Sequence, residues 1–138
     1  MQKFVSSRNK NEYVSAPEAI VRGLAGDGGL YTPSEMTAHI DPGQFKGCSY
    51  RDIATKIISS VFEEFKEEEI RNCVGGAYDS KFDDPSIAPL RRCSEGYICE
   101  LWHGPTSAFK DLALTLLPRL LTLSYEKLGE RLTIPHPM

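Results

Sequence analysis

The sequence predicts an α/β protein, with a mainly helical N-terminal subdomain over residues 1–80 and a strand, a loop and a helix over residues 81–138. In the first part, apolar residues recur at helical spacing, most clearly at Ile53 and Ile57. In the second part, the apolar stretch 97–102 precedes a turn with glycine and proline and then a leucine-rich helical run. That order is typical of the start of an α/β domain.

The composition is that of an ordinary globular chain: 138 residues, 41% of them hydrophobic, with 16 basic and 19 acidic side chains and a net charge of −3. A mildly acidic chain is poorly suited to bind nucleic acid or an anionic membrane, because both need a surplus of cations. No stretch of the sequence approaches the roughly 20 apolar residues of a membrane span, and no signal peptide is recognisable. We therefore expect a cytoplasmic protein.

The cysteines and histidines are scattered and form no motif. They are Cys48, Cys73, Cys93, Cys99, His39, His103 and His136. No pair has the spacing of a zinc ribbon or of a redox couple, and no two histidines share a helical turn. We predict reduced, mostly buried thiols and no metal site.

The first helix is predicted to begin at Ser15, which forms a capping box with Glu18. It is expected to end at Gly26 in a left-handed conformation. The residues 27–29, Asp-Gly-Gly, then require a tight turn, and a short strand is expected at 30–31.

Loops are predicted at 32–33 and 41–43, after which Ser49 is placed to cap the second helix. A third helix should carry Ile70 and stop near the glycine pair 75–76. These helices complete the predicted N-terminal subdomain.

The segment 78–92 has little periodicity and two prolines, so it is predicted to connect the two subdomains, with a boundary near residue 80. A strand at 97–102 and a helix from Ser107 should follow. Pro118 lies inside that helical run and should kink it or end it early, after which the helix can resume through Leu128.

The loop between the predicted strand and helix is the candidate site, because ligand sites in open α/β sheets gather where strands end. Lys110 is expected in the first helical turn, where the helix dipole disfavours an ammonium. The apolar Trp102 and Phe109 could desolvate its amine, as carbonyl-reactive lysines require. A solvated surface lysine is the competing interpretation.

The polar neighbours of this lysine are open to two interpretations. Thr106 and Ser107 are suited to cap a helix or to present a hydroxyl to a ligand. Asp111 is suited to stabilise the helix N-terminus or to orient a polar ligand. Asp27 is suited either to its own glycine-rich turn or to a substrate approached from the N-terminal subdomain.

The string 103–111, His-Gly-Pro-Thr-Ser-Ala-Phe-Lys-Asp, closely resembles the cofactor-lysine motif of threonine synthases. These are pyridoxal-phosphate enzymes of the tryptophan-synthase-β-like fold class. The string 23–33, Gly-Leu-Ala-Gly-Asp-Gly-Gly-Leu-Tyr-Thr-Pro, is similar to the small N-terminal domain that precedes the catalytic fold in that family. Together the matches imply a threonine-synthase-like N-terminal domain over 1–80 and the start of a shortened pyridoxal-phosphate-dependent domain over 81–138.

The resemblance implies that Lys110 holds pyridoxal 5'-phosphate and moves protons while O-phospho-L-homoserine and water become L-threonine and phosphate. It implies pocket positions, without individual roles, for His103, Thr106, Ser107, Asp111 and Asp27. Two alternatives remain open. One is a related phospholyase acting on another phosphorylated amino acid, and the other is a non-catalytic interaction fragment.

The C-terminal end departs from the family pattern. Family members are several times longer, and no glycine follows Gly129 here, so the loop expected to bind the cofactor phosphate is missing. Residues 131–134 begin like a strand, but Pro135 and Pro137 interrupt it. We expect a truncated, frameshifted or split chain that is inactive alone. Its exposed leucine-rich face should self-associate or bind a complementing C-terminal fragment.

Overall fold

A three-stranded antiparallel sheet opens the computed structural model, which describes residues 1–35 and 39–129. Its central strand is β1 (Phe4–Ser6), flanked by β2 (Tyr13–Val14) and β3 (Tyr31–Pro33). The prediction of a loop at 32–33 is therefore wrong. Pro33 is tolerated because β3 is an edge strand, where one missing backbone donor costs little.

The first helix, α1 (Ala16–Arg22), has the predicted capping box at Ser15 and Glu18. The prediction that it ends at Gly26 is wrong. It ends at Gly23, the first glycine that the chain reaches, which has a φ of 68°. The tight turn at 27–29 is confirmed: Gly28 has a φ of 77°, and its N–H donates to the Ala25 carbonyl.

Helix α2 (Tyr50–Val61) begins at the predicted cap, Ser49. The residues 42–45, where a loop was expected to begin, form a short 3₁₀ helix instead. Helix α3 (Glu67–Ala77) ends one residue after the glycine pair, which confirms the predicted stop near 75–76. The guanidinium of Arg119 lies where a side chain at Gly76 would be, so this glycine serves a close approach between helices.

A β-hairpin follows, formed by β4 (Leu90–Cys93) and β5 (Gly96–Cys99). The predicted strand at 97–102 is thus shorter than expected, and its partner was predicted to be part of a connection. The two strands are antiparallel and are the whole of their sheet in the part of the chain that the structure describes. Most of their side chains are exposed, so β4 lacks the alternation of buried and exposed residues that identifies a strand.

The predicted long helix from Ser107 is two helices, α4 (Asp111–Leu114) and α5 (Leu117–Leu128). The expected break at Pro118 is confirmed, because this proline lies in the first turn of α5, where no backbone donor is needed. Helix α5 ends at Gly129 in the left-handed conformation. The strand expected at 131–134 lies outside the described residues.

One apolar core contains residues of the N-terminal sheet and of the helices. Within it, α5 packs chiefly on α1 and also on α3. At the edge of this contact, Lys127 Nζ lies 2.9 Å from Glu69 Oε2. The domain boundary near residue 80 stays a prediction. The largest apolar side chains of the core are Phe4, Val14, Phe65, Ile70, Val74, Tyr78, Phe82, Ile87, Leu116 and Leu120.

Two expectations about the rest of the chain also have an outcome. The prediction that the thiols are mostly buried is wrong: Cys73 is buried and Cys48 is half-buried, but Cys93 and Cys99 are exposed on the open hairpin. Within residues 1–35 and 39–129, none of the helices is long and apolar enough to cross a bilayer.

Candidate functional site

Lys110 lies at the end of the loop that joins β5 to α4, one residue before the helix begins. It is exposed, and Trp102 and Phe109 are themselves 50% and 64% exposed, so the expected desolvation of its amine is absent. Helix α4 is a single turn and supplies only a weak dipole. Among the described residues, no hydrogen bond or ion pair engages the Lys110 amine.

The loop before Lys110 is closed by Asp111, whose side chain is only 3% exposed. Thr106 donates twice to this carboxylate, from its backbone N–H to Oδ2 at 2.8 Å and from its hydroxyl to Oδ1 at 2.6 Å. Both bonds favour the charged form, so the pKa of Asp111 is lowered, first by the Thr106 hydroxyl. Asp111 therefore fixes the loop, and the Thr106 hydroxyl is used for that purpose.

Gly104 makes this closure possible. A side chain at this position would collide with the Cβ and carboxylate of Asp111, so the two ends of the loop approach more closely than any other residue allows. Ser107 is exposed at the apex, with a φ of 58°, and its N–H donates to the Gly104 carbonyl at 3.1 Å. Ser107 does not cap a helix, and its hydroxyl faces solvent.

His103 begins the loop and is held between two carboxylates. Its Nδ1 lies 2.5 Å from Asp83 Oδ1, and its Nε2 lies 2.7 Å from Glu100 Oε2. The bonds to Glu100 and then to Asp83 raise the pKa of His103 above its ordinary value. The Asp83 N–H also donates to the His103 carbonyl at 3.0 Å. His103 thus ties the segment around residue 83 to the base of the loop.

Two further residues extend this cluster. Arg91 contacts Glu100 Oε1 through Nε at 3.5 Å and Asp84 Oδ2 through Nη2 at 3.2 Å. Sequence reasoning missed Asp83, Asp84, Arg91 and Glu100. The spacing of three between Glu100 and His103 was the only local signal, because Arg91 lies 12 residues before His103, and Asp83 and Asp84 lie about twenty residues before it.

Tyr78 is a second residue that the sequence did not single out. It is 4% exposed, and its hydroxyl donates to the Leu112 carbonyl in α4 at 2.7 Å. Its ring meets that of Tyr50 edge to face, with centroids 5.0 Å apart. Burial raises the pKa of the Tyr78 hydroxyl well above its usual range, so it remains a donor. Tyr78 thereby attaches the helix that follows Lys110 to the N-terminal helices.

Asp27 is engaged within its own turn. Its carboxylate accepts from the Ser6 hydroxyl at 2.7 Å and from the Gly29 N–H at 2.8 Å. The Gly29 bond and then the Ser6 bond lower the pKa of Asp27. These partners belong to the N-terminal sheet and turn, so the structure brings together His103, Thr106, Ser107, Lys110 and Asp111 and gives Asp27 a separate environment.

Several large apolar side chains around the loop are exposed. We call this set the open apolar surface, and it consists of Leu90, Tyr97, Ile98, Trp102, Phe109, Leu114 and Leu117. Their exposed fractions range from 42% at Leu117 to 69% at Tyr97. Consecutive strand residues point to opposite faces, so Tyr97 and Ile98 expose apolar area on the two sides of the hairpin. Large exposed apolar areas mark interaction surfaces.

Comparison with known proteins gives a consistent result. The family model described as the N terminus of threonine synthase matches residues 3–78. Threonine synthase from Pseudomonas aeruginosa is 32% identical over 136 residues, which is 96% of this chain and 29% of that protein. Threonine synthase from Schizosaccharomyces pombe is 37% identical over 123 residues, which is 85% of this chain and 24% of that protein.

A solved structure shows the same similarity in three dimensions. The crystal structure of pyridoxal-phosphate-bound threonine synthase from Brucella melitensis superposes with a TM-score of 0.84 at 32% identity. The match covers 95% of this chain and 29% of that one. The chain therefore spans less than a third of the length of the relatives it matches.

Proposed function

Because the chain belongs to the threonine synthase family, whose N-terminal model covers more than half of it, we propose that it acts as the N-terminal portion of a threonine synthase with Lys110 as its cofactor lysine. The observation that carries this proposal is the position of the Lys110 amine. It is exposed, engaged by no described residue and presented by a loop closed from Gly104 to Asp111. The Brucella melitensis relative, which matches 95% of this chain, is a pyridoxal-phosphate-bound enzyme.

One residue of this chain matches one atom of pyridoxal 5'-phosphate: the Lys110 amine can react with its carbonyl carbon. An accessible primary amine is the group that this carbon requires, and the neighbouring Asp111 carboxylate is bonded to Thr106 and forms no ion pair with it. Lys110 would hold the cofactor, and the cofactor when bound supplies an electron sink for carbanions. The proposed overall reaction converts O-phospho-L-homoserine and water to L-threonine and phosphate.

This chain's own residues contribute binding and orientation in that reaction. Lys110 Nζ would hold the cofactor, and when free its amine would move protons at the substrate carbons. Asp111 and Thr106 keep the loop closed, so that the amine is presented from a fixed backbone. Ser107, which is exposed three residues before Lys110, would be available to contact a ligand bound there.

We also propose that the open apolar surface binds further polypeptide that completes the site. Lys110 lies among these exposed side chains and lacks the desolvation that an activated amine needs. The occupant proposed first is a complementing C-terminal segment of the same family, with self-association of this chain as the alternative. The isolated chain is then expected to be inactive.

The first test uses the purified chain with pyridoxal 5'-phosphate, borohydride reduction to make the linkage permanent, and peptide mass mapping. Labelling is compared with and without the C-terminal part of the Pseudomonas aeruginosa relative, and with that segment present Lys110 is expected to be labelled in preference to the seven other lysines. Lys110→Ala should abolish the preferred label. Lys56→Ala, which removes an exposed lysine of α2, should leave it unchanged. Even labelling of all lysines in the wild-type chain with the C-terminal segment present would refute the assignment of Lys110.

The second test separates the reactions. The chain is mixed with the C-terminal part of the Pseudomonas aeruginosa relative, and phosphate release is measured from O-phospho-L-homoserine and from another phosphorylated hydroxy-amino acid. Release from the first substrate supports threonine synthesis, and release only from the second supports a related phospholyase. A stable complex without Lys110 labelling or phosphate release would identify a non-catalytic interaction fragment.

A further inference from the structure

The cluster around His103 has a charge pattern that one protonation state satisfies. Each ring nitrogen faces a carboxylate oxygen, and a carboxylate oxygen only accepts hydrogen bonds. A neutral imidazole has one N–H, so one of its nitrogens would present a lone pair to a carboxylate. With both nitrogens protonated, both contacts become charge-assisted hydrogen bonds.

The surroundings point in the same direction. The charged groups that face this ring are Asp83 and Glu100, with Arg91 and Asp84 behind them. Arg91 contacts Asp84 and Glu100 but not Asp83, so a protonated His103 supplies the cation that Asp83 otherwise lacks in this cluster. The contact with Glu100 is sheltered, since the side chains of His103 and Glu100 are 13% and 16% exposed, whereas Asp83 is 78% exposed and screened by solvent.

The position of the His103 ring allows this cluster to hold one end of the loop in place. His103 is followed at once by Gly104, whose close approach to Asp111 closes the loop. The Glu100 N–H donates to the Pro89 carbonyl at 3.0 Å, so the carboxylate that holds the ring is itself fixed at the base of the hairpin. The entry of the loop is therefore clamped by His103 and its exit by Asp111.

We propose that His103 is a positioning residue for Lys110: its doubly protonated ring, clamped between Glu100 and Asp83, fixes the entry of the loop that presents the lysine amine. This inference rests on the proposed function of Lys110 but concerns a different residue and state. The clamp is complete below the ordinary pKa of histidine and is lost as pH rises through the raised pKa of His103. Lys110 should then lose its preferential reactivity although the bulk of the fold persists.

Trp102 gives a direct readout of this state. It is the only tryptophan of the chain, and its ring centroid lies 5.5 Å from that of His103. A protonated imidazole quenches indole fluorescence more strongly than a neutral one. The fluorescence of Trp102 should therefore rise with a single transition above the ordinary histidine pKa. Glu100→Gln should move that transition to lower pH, since it removes the first cause of the raised pKa.

The test compares His103→Gln with His39→Gln, an exposed histidine elsewhere in the chain. Only His103→Gln should remove the fluorescence transition. It should also speed amide hydrogen exchange of residues 104–110 about tenfold at neutral pH, the effect expected for loss of a charge-assisted bond. A transition that survives in His103→Gln, or unchanged exchange in the loop, would overturn the clamp without any reference to the cofactor.

A pH profile of labelling distinguishes positioning from mere structural support. In the wild-type chain, the ratio of Lys110 to Lys56 labelling should fall as the Trp102 transition proceeds, and in Glu100→Gln it should fall at lower pH. His103→Gln should give a low ratio that does not follow pH in this way. Preferential labelling that is the same in wild type and His103→Gln would refute the role of His103 while leaving the proposed function of Lys110 intact.

Discussion

The helical core and the hairpin with its following loop differ in how far their apolar side chains are exposed. In the core, Ile70 and Val74 are completely buried. In the segment 90–117, Leu90 and Phe109 remain 66% and 64% exposed, although they are equally apolar. The apolar side chains of the first region are buried against one another, whereas those of the second region remain exposed. The chain thus folds around the N-terminal part and presents the candidate lysine at an uncovered surface.

The largest difference in stability is expected when one isoleucine in each region is replaced by alanine. Ile70→Ala should reduce the free energy of unfolding by about 2–5 kcal/mol, because it leaves a cavity in α3 where no solvent can enter. Ile98→Ala, at a site 52% exposed in β5, should cost less than about 1 kcal/mol. Urea unfolding followed by circular dichroism measures both. Equal losses would mean that the hairpin is as well packed as the core.

A smaller effect is expected where the second region is locally well packed. Gly104→Ala should cost about 1–3 kcal/mol, because its side chain collides with Asp111 and forces the loop apart. Gly96→Ala is the matched control, since nothing lies within 4 Å of a Cβ built there. Unfolding and Trp102 fluorescence report the two variants. If Gly104→Ala is as stable as Gly96→Ala, the closure by Asp111 is not a constraint on the loop.

These contrasts explain which parts of the fold could be predicted from the sequence. The starts of α1 and α2 are set by Ser15 and Ser49, whose hydroxyls bond to residues three positions later, so the signal is local. The end of α3 is different. The stop near Gly76 was predicted, but the close approach of Arg119, which lies 43 positions further along the chain, was not. A close approach between helices leaves no mark in either local sequence.

The candidate site divides in the same way. The motif around Lys110 was visible from its residues, and the pairing of Thr106 with Asp111 is local. The contacts of His103 with Asp83 and of Tyr78 with Leu112 are distant in sequence and were missed. The suggested desolvation of Lys110 by Trp102 and Phe109 is absent for a related reason. Whether Lys110 is buried depends on what packs over the loop, and the residues next to it in sequence do not pack over it.

The hydrogen bond from Tyr78 connects the two regions directly, so it measures how strongly they are coupled. Tyr78→Phe keeps the buried ring and removes only the donor to the Leu112 carbonyl, which should cost about 1 kcal/mol. Tyr97→Phe, at an exposed position of the hairpin, is the control and should have no measurable effect. Amide exchange in 111–116 should accelerate only in Tyr78→Phe. Unchanged exchange there would show that α4 is held by other contacts.

The smallest expected effect on stability tests the uncovered surface itself. Leu114→Gln exchanges an exposed leucine of α4 for a polar residue of similar helix propensity, so the free energy of unfolding should change by less than about 0.5 kcal/mol. The same change should weaken any association through the open apolar surface, because burying that side chain contributes to binding and not to the monomer. Sedimentation velocity over a range of concentrations, alone and with a complementing segment, measures the association.

The control is Leu120→Ala, at a buried position of α5, which should lower the free energy of unfolding and leave association through the open apolar surface unchanged. A loss of stability in Leu114→Gln comparable with that of Leu120→Ala would mean that the leucine is already covered, and the contrast between the two regions would fail.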